Sequence, residues 1–515
     1  MHSHAAKSSR GAPQTVASLV LAFSTTVGSA PAAFAQAGTG FRFVPNISIS
    51  EEVSNNIDLS PTAPLSDAIT RITAGVSGGS RSGRMRGFLS YGLTANLYAR
   101  NSDHNSNQNT LSASFDAEVI DGRAFVGVSA SIDQTARSAF GPQPGLSGLP
   151  STNVTELRTL TVTPRFNGPL GPVVAYTAGL GYTISDAGST SQGDSTSLNG
   201  FVHLGPASPG VVGWAVDLTS TRTDFDAGRT TVDNRLMGSL SRRIDALDLL
   251  VNISGGAEGT DLASFQKARY WNYGIGATWA PSPRTKLVAN LDERFFGRAH
   301  EFRVEHRTAL TTWTISDTRS LNSSANGIST FGPGPTFDLY FAQFAAIEPD
   351  PAKRTDLVNG YLKANGLSAS SGADSGYLRS AETVMRAQNV SVAYRGLRGA
   401  VVLAMHRSVD VPIQGAPSLP SDDFANTSNV VSDNVSLNVS HRLTPTSSAN
   451  LTFSYQQSHG DQPTQYSNQR EVRLQYVAAL NDSSSVTAGA RRALYKTYQT
   501  PYNESAAFAT FGHRF

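Results

Sequence analysis

The chain has 515 residues, of which 39% are hydrophobic and 16% are charged, and its formal net charge is +2. This composition is too apolar for a disordered chain, and the near-neutral charge gives no general reason to expect a nucleic-acid partner. The sequence contains no cysteine, which excludes disulfides and thiolate metal sites within it.

Residues 1–35 have the pattern of a secretory signal peptide. A basic start precedes the short apolar run TVASLVLAFSTTV, and Ala33-Phe34-Ala35 fits the small-residue rule for cleavage. An organelle transit peptide is the alternative, but arginine is scarce in this stretch. After residue 35 no apolar run reaches the roughly 18 residues that a membrane helix needs. We therefore expect residues 36–515 to form either a soluble secreted protein or a transmembrane β-barrel.

From Phe41 onward, apolar and polar residues alternate in long stretches that are separated by turn residues. Alternation over about 10 residues is typical of the tilted strands of a membrane barrel, whereas the strands of soluble sandwiches are nearer ~5–6 residues. The clearest stretches are residues 89–97, 271–279, 451–455 and 472–480. Strand length therefore favours the barrel.

Short connections with Gly or Pro alternate along the chain with longer polar stretches. Residues 121–122 and 281–283 are examples of the former, and residues 100–109 and 138–152 of the latter. The alternation indicates short periplasmic turns and longer external loops. We predict an all-β, antiparallel transmembrane barrel of about 20–22 strands in the lipid bilayer of a Gram-negative outer membrane, with both termini periplasmic.

Residues 321–380 form an insert that is too long for an ordinary connection. Its second half, KRTDLVNGYLKANGL, predicts a short helix that ends at Gly366. If residues 300–309 and 311–320 are two strands, the insert lies with the other long loops, and if they are one strand it lies at the periplasmic end. We prefer two strands. The insert is then a partly helical loop or a plug in the lumen.

Three aromatic residues share one face of the predicted strand 271–279, namely Trp271, Tyr273 and Trp279. The two tryptophans are about 26 Å apart at ~3.3 Å per residue, which approaches the height of the apolar band between two aromatic girdles. In a soluble protein the same side chains would be core residues. We interpret them as part of a girdle.

The most charged predicted strands lie within residues 292–307. Charged residues recur on one face of each strand: Asp292, Arg294, Glu301, Arg303, Glu305 and Arg307. This face should line the lumen, because Arg or Lys against lipid costs about 2–4 kcal/mol at the midplane. Glu293 is out of phase and should lie at a membrane edge. Cross-strand ion pairs that hold register are our preferred interpretation of this ladder, and a path for a charged or sugar solute is the alternative.

Residues 502–515 predict the strand that closes the barrel against the first strand, near residues 44–53. Phe511 and Phe515 share one face of it, and a strand that ends in an aromatic residue resembles the signal read by the barrel-assembly machinery. A soluble edge strand that ends by chance in Phe is the alternative. The apolar face is light at Ala507 and Ala509, so we expect a weak seam.

Several segments carry a family resemblance. They are YWNYGIGATWAPSPRTKLVANLDERFFGRAHEFRVEHRTALTTWTISDTRS (270–320), NNIDLSP (55–61), SHRLTPTSSANLTFSYQQS (440–458) and the ending YNESAAFATFGHRF. Together they resemble the PEP-CTERM system-associated proteins, a family of outer-membrane β-barrels found near exosortase and exopolysaccharide genes. The resemblance covers most of the mature chain. It implies a role in an exopolysaccharide or protein-sorting surface system, with exopolysaccharide or its export proteins as partners.

No catalytic motif stands out in the sequence. G-x-S-x-G, H-E-x-x-H and G-x-x-x-x-G-K-[ST] are all missing, and Asp422 and Asp423 are loop acids that we expect to face water. We predict no enzyme, no cofactor and no metal site. The leading hypothesis is a non-enzymatic conduit or docking component, the alternative is a general diffusion porin for small polar solutes, and an outer-membrane hydrolase comes third.

Overall fold

The structure is a computed structural model. It describes residues 41–80, 83–143, 149, 151–188, 190–208, 210–325, 335–344, 348, 354–355, 357–358, 361, 376–413, 420–498 and 501–515. The predicted signal peptide, with Ala33 and Ala35, lies outside the described residues, as does most of the second half of the insert.

The described residues form 22 strands in one antiparallel sheet. The strands are β1 (Phe41–Ser54), β2 (Asp67–Ser80), β3 (Met85–Tyr98), β4 (Ser106–Ile120), β5 (Ala124–Ala136), β6 (Val154–Leu170), β7 (Val174–Asp186), β8 (Ser195–Pro206), β9 (Val212–Phe225), β10 (Thr230–Ile244), β11 (Leu249–Thr260), β12 (Ala268–Ser282), β13 (Thr285–Arg294), β14 (Gly297–Arg307), β15 (Thr311–Asn322), β16 (Thr383–Arg395), β17 (Gly399–Pro412), β18 (Val430–Thr444), β19 (Ser447–His459), β20 (Tyr466–Ala479), β21 (Ser484–Thr497) and β22 (Tyr502–Arg514). Each strand pairs with its neighbours in chain order, and β1 pairs with β22, which closes the barrel. The predicted fold class is confirmed.

The first strand begins and the last strand ends at the same end of the barrel, because the number of strands is even. We call it the turn end, since its connections are as short as residues 121–123, 283–284 and 445–446. Gly122 has a φ of 61° at one of these turns, a conformation that costs glycine little. The opposite end is the loop end. It carries the longest connections, which are residues 55–66, 137–153, 323–382 and 413–429.

The two faces of the wall differ in polarity. On β12, Trp271 and Ile275 are 75% and 61% exposed, whereas Asn272 is 2% exposed. Successive side chains alternate between the faces of a strand, so the apolar residues point outward and the polar ones point into the lumen. An apolar exterior around a polar lumen is what a bilayer requires of a spanning sheet. The chain is an outer-membrane β-barrel of the Gram-negative type.

The insert joins β15 to β16 at the loop end. It contains α1 (Pro335–Phe344), in a part of the insert where the sequence analysis predicted no helix. In the predicted segment, residues 354–355, 357–358 and 361 are helical, whereas Gly366 lies outside the described residues. No helix in the described part of the chain is long and apolar enough to cross a membrane.

Candidate functional site: an insert inside the barrel lumen

Helix α1 has an aromatic stripe along one side. The stripe follows the spacing i, i+3, i+4 and i+7, which places its members on one face: Phe337, Tyr340, Phe341 and Phe344. Tyr361, from the second helical stretch, packs on this stripe, with its ring centroid 4.9 Å from that of Tyr340 and 5.5 Å from that of Phe344.

The stripe packs against the inner face of the barrel wall. Ala393, Ala400 and Val402 are fully buried in the same cluster. They alternate along β16 and β17 with outward residues such as Tyr394, which is exposed, so they face the lumen. The turn at residues 396–398 separates Ala393 from Ala400. Helix α1 therefore lies inside the barrel, near the turn end.

Two arginines of the wall contact α1 from the turn end. Arg307 Nη1 donates to the Ala342 carbonyl oxygen at 3.4 Å, and the guanidinium of Arg395 lies 4.6 Å from the ring centroid of Phe344. A cation near the last carbonyls of a helix is favoured by the helix dipole, and a cation over an aromatic face is favoured by the ring quadrupole. Arg307, a member of the predicted ladder, thus contacts the insert.

The end of the insert, residues 376–382, bridges the lumen at the loop end, and we call it the mouth segment. The Leu378 amide donates to the Ala136 carbonyl of β5 at 2.9 Å, and the Arg379 amide donates to the Ala325 carbonyl at 2.9 Å. β5 and β16 lie on opposite sides of the ring, because the same number of strands separates them in both directions. The mouth segment runs directly into β16 and therefore crosses between opposite walls.

An ion pair holds the mouth segment on the β17 side. Arg379 is 3% exposed, and its Nη2 lies 2.8 Å from Asp410 Oδ2. Its Nη1 donates to Thr383 Oγ1 at 3.1 Å, and its guanidinium lies 4.7 Å from the ring centroid of Tyr377. Removing one partner of a buried ion pair typically costs 3–5 kcal/mol, so this contact fixes the mouth segment.

Asp422 and Asp423 hold two further loop-end connections in place. Asp423 accepts hydrogen bonds from Ser138 Oγ and the Ala139 amide, both at 2.7 Å. Asp422 accepts one from the Ser380 amide of the mouth segment at 2.8 Å. Both acids are buried, so the expectation that they face water is wrong. Because their partners lie in loops that are distant in the sequence, sequence alone carries no signal of this role.

Closure at the loop end should depend on pH through Asp423. Burial raises the pKa of this carboxyl to about 6, although the bonds from Ser138 and Ala139 oppose the shift. Adjacent Asp422 also raises it, and Arg379 lowers it. The protein with Asp423 buried therefore binds more protons than the protein with Asp423 exposed to water. The contacts of Asp423 with residues 138–139 accordingly weaken as pH rises from about 4 to 6, by at most about 3 kcal/mol.

Hydrogen exchange of the Ala139 amide measures this dependence. After correction for the intrinsic exchange rate, protection should fall between pH 4.5 and pH 7. In Asp423→Asn this fall in protection should disappear, because the side-chain carboxamide of asparagine does not titrate. An equal fall in the variant would show that another group is responsible.

Apart from Arg307, the ladder residues divide into two sets. Arg294 is 13% exposed and pairs with Glu258 of β11 and, at 3.2 Å, with Asp233 of β10. Asp292 lies 3.8 Å from Arg235, again across strands. These contacts join β13 to strands that are not its hydrogen-bonded neighbours, since β12 lies between β11 and β13, so they differ from the predicted pairs that hold the register of adjacent strands.

The side chains of the second set are exposed on the lumen face of β14. Glu301, Arg303 and Glu305 are 40%, 45% and 45% exposed, and Arg303 lies 3.8 Å and 3.9 Å from its two neighbours along the same strand. Their partners in register on β13 include Val288 and Lys286. Among the described residues these three side chains form no ion pair across strands. The cross-strand interpretation does not describe this set.

Arg303→Ala and Arg294→Ala should therefore behave differently. Loss of Arg303 should change the free energy of unfolding by less than about 1 kcal/mol, because exposed pairs contribute little. Loss of Arg294 leaves Glu258 buried without its cation and should cost about 3–5 kcal/mol. Urea unfolding in detergent micelles compares the two variants. Equal destabilisation would contradict the division of the ladder.

Uncharged hydroxyl and amide groups cover much of the remaining lumen wall. They form hydrogen-bonded pairs between neighbouring strands, with oxygen–oxygen or nitrogen–oxygen distances of 2.7–3.0 Å: Thr73–Thr94, Thr161–Thr183, Asn199–Thr221, Ser432–Ser458 and Asn438–Thr452. Each such group also has lone pairs or N–H donors available to a polar solute. This surface suits a neutral, hydroxyl-rich molecule better than an ion.

A buried ion cluster, which we call the seam cluster, lies where β1 meets β22. Arg491 Nη2 lies 2.5 Å from Glu52 and 2.9 Å from Glu504, and Arg71 Nη1 lies 2.7 Å from Glu52. Ser54 Oγ donates to Glu504 at 2.7 Å. The expectation of a weak seam considered only the outward face, whereas this cluster ties four strands together on the lumen side.

The predicted exterior residues have the following positions. Trp271 and Tyr273 point outward towards the loop end, and Trp279 points outward near the turn end, where its Nε1 donates to the Leu247 carbonyl at 3.1 Å. Phe511 and Phe515 are exposed on the outward side of the closing strand. Glu293 also points outward, and its partners in register are Tyr273 on β12 and Arg298 on β14, next to the β13–β14 turn.

Two Ser/Thr–His contacts lie on the exterior at the turn end, at 2.9 Å in each case: Ser484–His513 and Thr285–His306. Neither histidine has a carboxylate partner among the described residues, so neither contact forms a Ser–His–Asp arrangement there. Within the same part of the chain, no group of three potential metal-ligating side chains is found.

Solved structures with a similar fold are outer-membrane barrels. The siderophore receptor PirA of Acinetobacter baumannii is 8% identical, with 93% of this chain and 81% of that chain covered and a TM-score of 0.43. OccK11 of Pseudomonas aeruginosa is 10% identical, with 92% and 96% covered and a TM-score of 0.32. OprD of the same organism is 7% identical, with 93% and 97% covered and a TM-score of 0.32. No protein-family profile and no curated protein matches the sequence.

Proposed function

We propose that this chain is a non-enzymatic conduit of the outer membrane whose lumen is closed at rest. The observation that carries the proposal is the packing of α1 inside the barrel against Ala393, Ala400 and Val402. The mouth segment closes the opposite end through the pair of Arg379 and Asp410. A solute passes only after the insert has moved.

The proposed cargo is a neutral carbohydrate chain, and the proposed setting is the exopolysaccharide or PEP-CTERM surface system that the sequence resemblance implies. The hydroxyl and amide groups of the lumen wall support this cargo, because they exchange hydrogen bonds with sugar hydroxyls without fixing a charge. Export proteins of such a system are the proposed partners that displace the insert. The barrel-assembly machinery is the proposed partner of β22 during folding.

A general diffusion porin for small polar solutes is the second candidate. The exposed charges of Glu301, Arg303 and Glu305 favour it, since charged rings tune the selectivity of an aqueous pore. A porin of this kind conducts without a partner, whereas a closed conduit does not.

Conductance of the purified barrel in planar bilayers separates the two candidates. The conduit is expected to give brief or no openings, and the porin a large and steady current. A steady current from the intact protein would overturn the closed-conduit proposal. In a barrel opened by removal of the insert, a neutral glucan should reduce the current, whereas an unchanged current would overturn the carbohydrate cargo.

A further inference from the structure

We propose that the outer wall of β14–β17 binds an anionic glycolipid with a phosphorylated sugar headgroup. A cavity of about 520 Å³ lies at the rim of the loop end. Its lining combines aromatic, aliphatic and cationic side chains: Phe295, Phe296, Arg319, Val384, Arg386 and Val411. This site is separate from the lumen and from the proposed passage of solute.

The cavity faces the lipid and not the lumen. Arg319 shares the outward side of β15 with Trp313 and Ile315, which are exposed large hydrophobics. Arg386 shares the outward side of β16 with Val390, also exposed. Arg319 and Arg386 are opposite each other in the register of these strands. Two guanidiniums therefore stand side by side on the exterior wall.

Three chemical levels follow one another on this wall. Towards the membrane centre are the apolar side chains of Ile315, Val390 and Met405, then come the two guanidiniums, and beyond them lies the cavity with Phe296. A lipid of the loop-end leaflet meets the same order, with acyl chains first, then phosphate, then the rest of the headgroup. A sugar ring suits the last level because its apolar face packs on an aromatic side chain.

The charges at the middle level favour an anion. Arg319 has no carboxylate partner in the described part of the chain, and its guanidinium lies 5.3 Å from the ring centroid of Phe296. Arg386 donates to Asp317 at 2.6 Å and 3.0 Å, and His300 also contacts Asp317, at 3.0 Å. These bonds use two of the five N–H donors that a guanidinium carries. Two arginines against one carboxylate leave a net positive charge, and arginine suits phosphate geometrically.

The test uses the intact barrel in detergent, titrated with a bisphosphorylated glycolipid such as lipid A and followed by native mass spectrometry. Arg319→Gln/Arg386→Gln should weaken this binding at least about tenfold. Arg492→Gln is the matched control, since Arg492 is also outward-facing and exposed towards the loop end of its strand but lies far from the cavity. A heat-modifiable gel band establishes that each variant is folded.

Three results would overturn the proposal. One is equal binding of lipid A by wild type and the double variant. Another is a wild-type affinity for a glycolipid without phosphate that equals its affinity for lipid A. The third concerns the sugar: Phe296→Ala should lower affinity for lipid A more than affinity for phosphatidylglycerol, and an equal loss for both lipids would remove the assignment of the cavity to the headgroup sugar.

Discussion

Replacing Arg491 with Met should lower the free energy of unfolding of the barrel by about 3–5 kcal/mol. The guanidinium is 1% exposed, and it neutralises two carboxylates, those of Glu52 and Glu504, which are 2% and 0% exposed. Removing it leaves Glu504 with the hydroxyl of Ser54 and leaves Glu52 with Arg71 alone. The lost interactions all lie at the seam between β1 and β22, the two strands whose pairing closes the barrel.

Arg492→Met is the matched control, because the neighbouring side chain has the same chemistry but points outward and is exposed. It should change stability by no more than about 0.5 kcal/mol. Urea unfolding in micelles, followed by tryptophan fluorescence, measures both variants. A triple variant with Arg491→Met, Glu52→Gln and Glu504→Gln should recover part of the loss, since no buried charge remains unpaired. Equal midpoints for the two single variants would contradict a structural role of the cluster.

The wall of the barrel could be predicted from sequence because its signal is local. Alternation over residues 271–279 predicts the core of β12, which extends from Ala268 to Ser282. Residues 44–53 predict β1, and residues 502–515 predict β22. A strand has only two faces, and the face that contacts lipid requires apolar residues. Each strand can therefore be recognised from its own alternation, without reference to its neighbours.

The seam cluster and the mouth were not predicted, because their contacts join distant residues. Arg491 and Glu52 are separated by 439 positions, and nothing near either of them indicates the other. Asp423 meets Ala139 across the loop end in the same way. The alternation in β13 and β14 predicts which face carries the charges, but the register of the strands decides which charges meet a partner, and that register is set only when the barrel closes.

Helix α1 is a different case, because its signal was present in the sequence. The spacing of Phe337, Tyr340, Phe341 and Phe344 is that of one helical face, and Pro335 stands where a helix can begin. Only ten residues long, it lies between segments rich in Gly and Pro, which favour loops. The sequence does not indicate which part of the wall the stripe contacts. In the structure, the small side chains of β16 and β17 provide that surface.

Removing the insert should raise the conductance of the barrel in planar bilayers by more than an order of magnitude. The change replaces residues 326–378 by a short Gly-Ser linker, which the chain tolerates geometrically because the Arg379 amide lies 2.9 Å from the Ala325 carbonyl oxygen. The wall does not depend on the insert for its pairing, since β15 and β16 are hydrogen-bonded over their whole length. A 22-stranded barrel without its insert encloses a wide aqueous lumen.

A shorter replacement, of residues 326–375, removes α1 but keeps the mouth segment with Tyr377, Leu378 and Arg379. It should give an intermediate, gated conductance, because the Leu378 amide can still bond to the Ala136 carbonyl of β5, a contact that the larger replacement removes. Adding Arg379→Ala to this shorter variant should then open it fully. The larger replacement must first show a heat-modifiable gel band, which establishes that it is folded. If its conductance then equals that of the intact protein, the insert does not close the lumen.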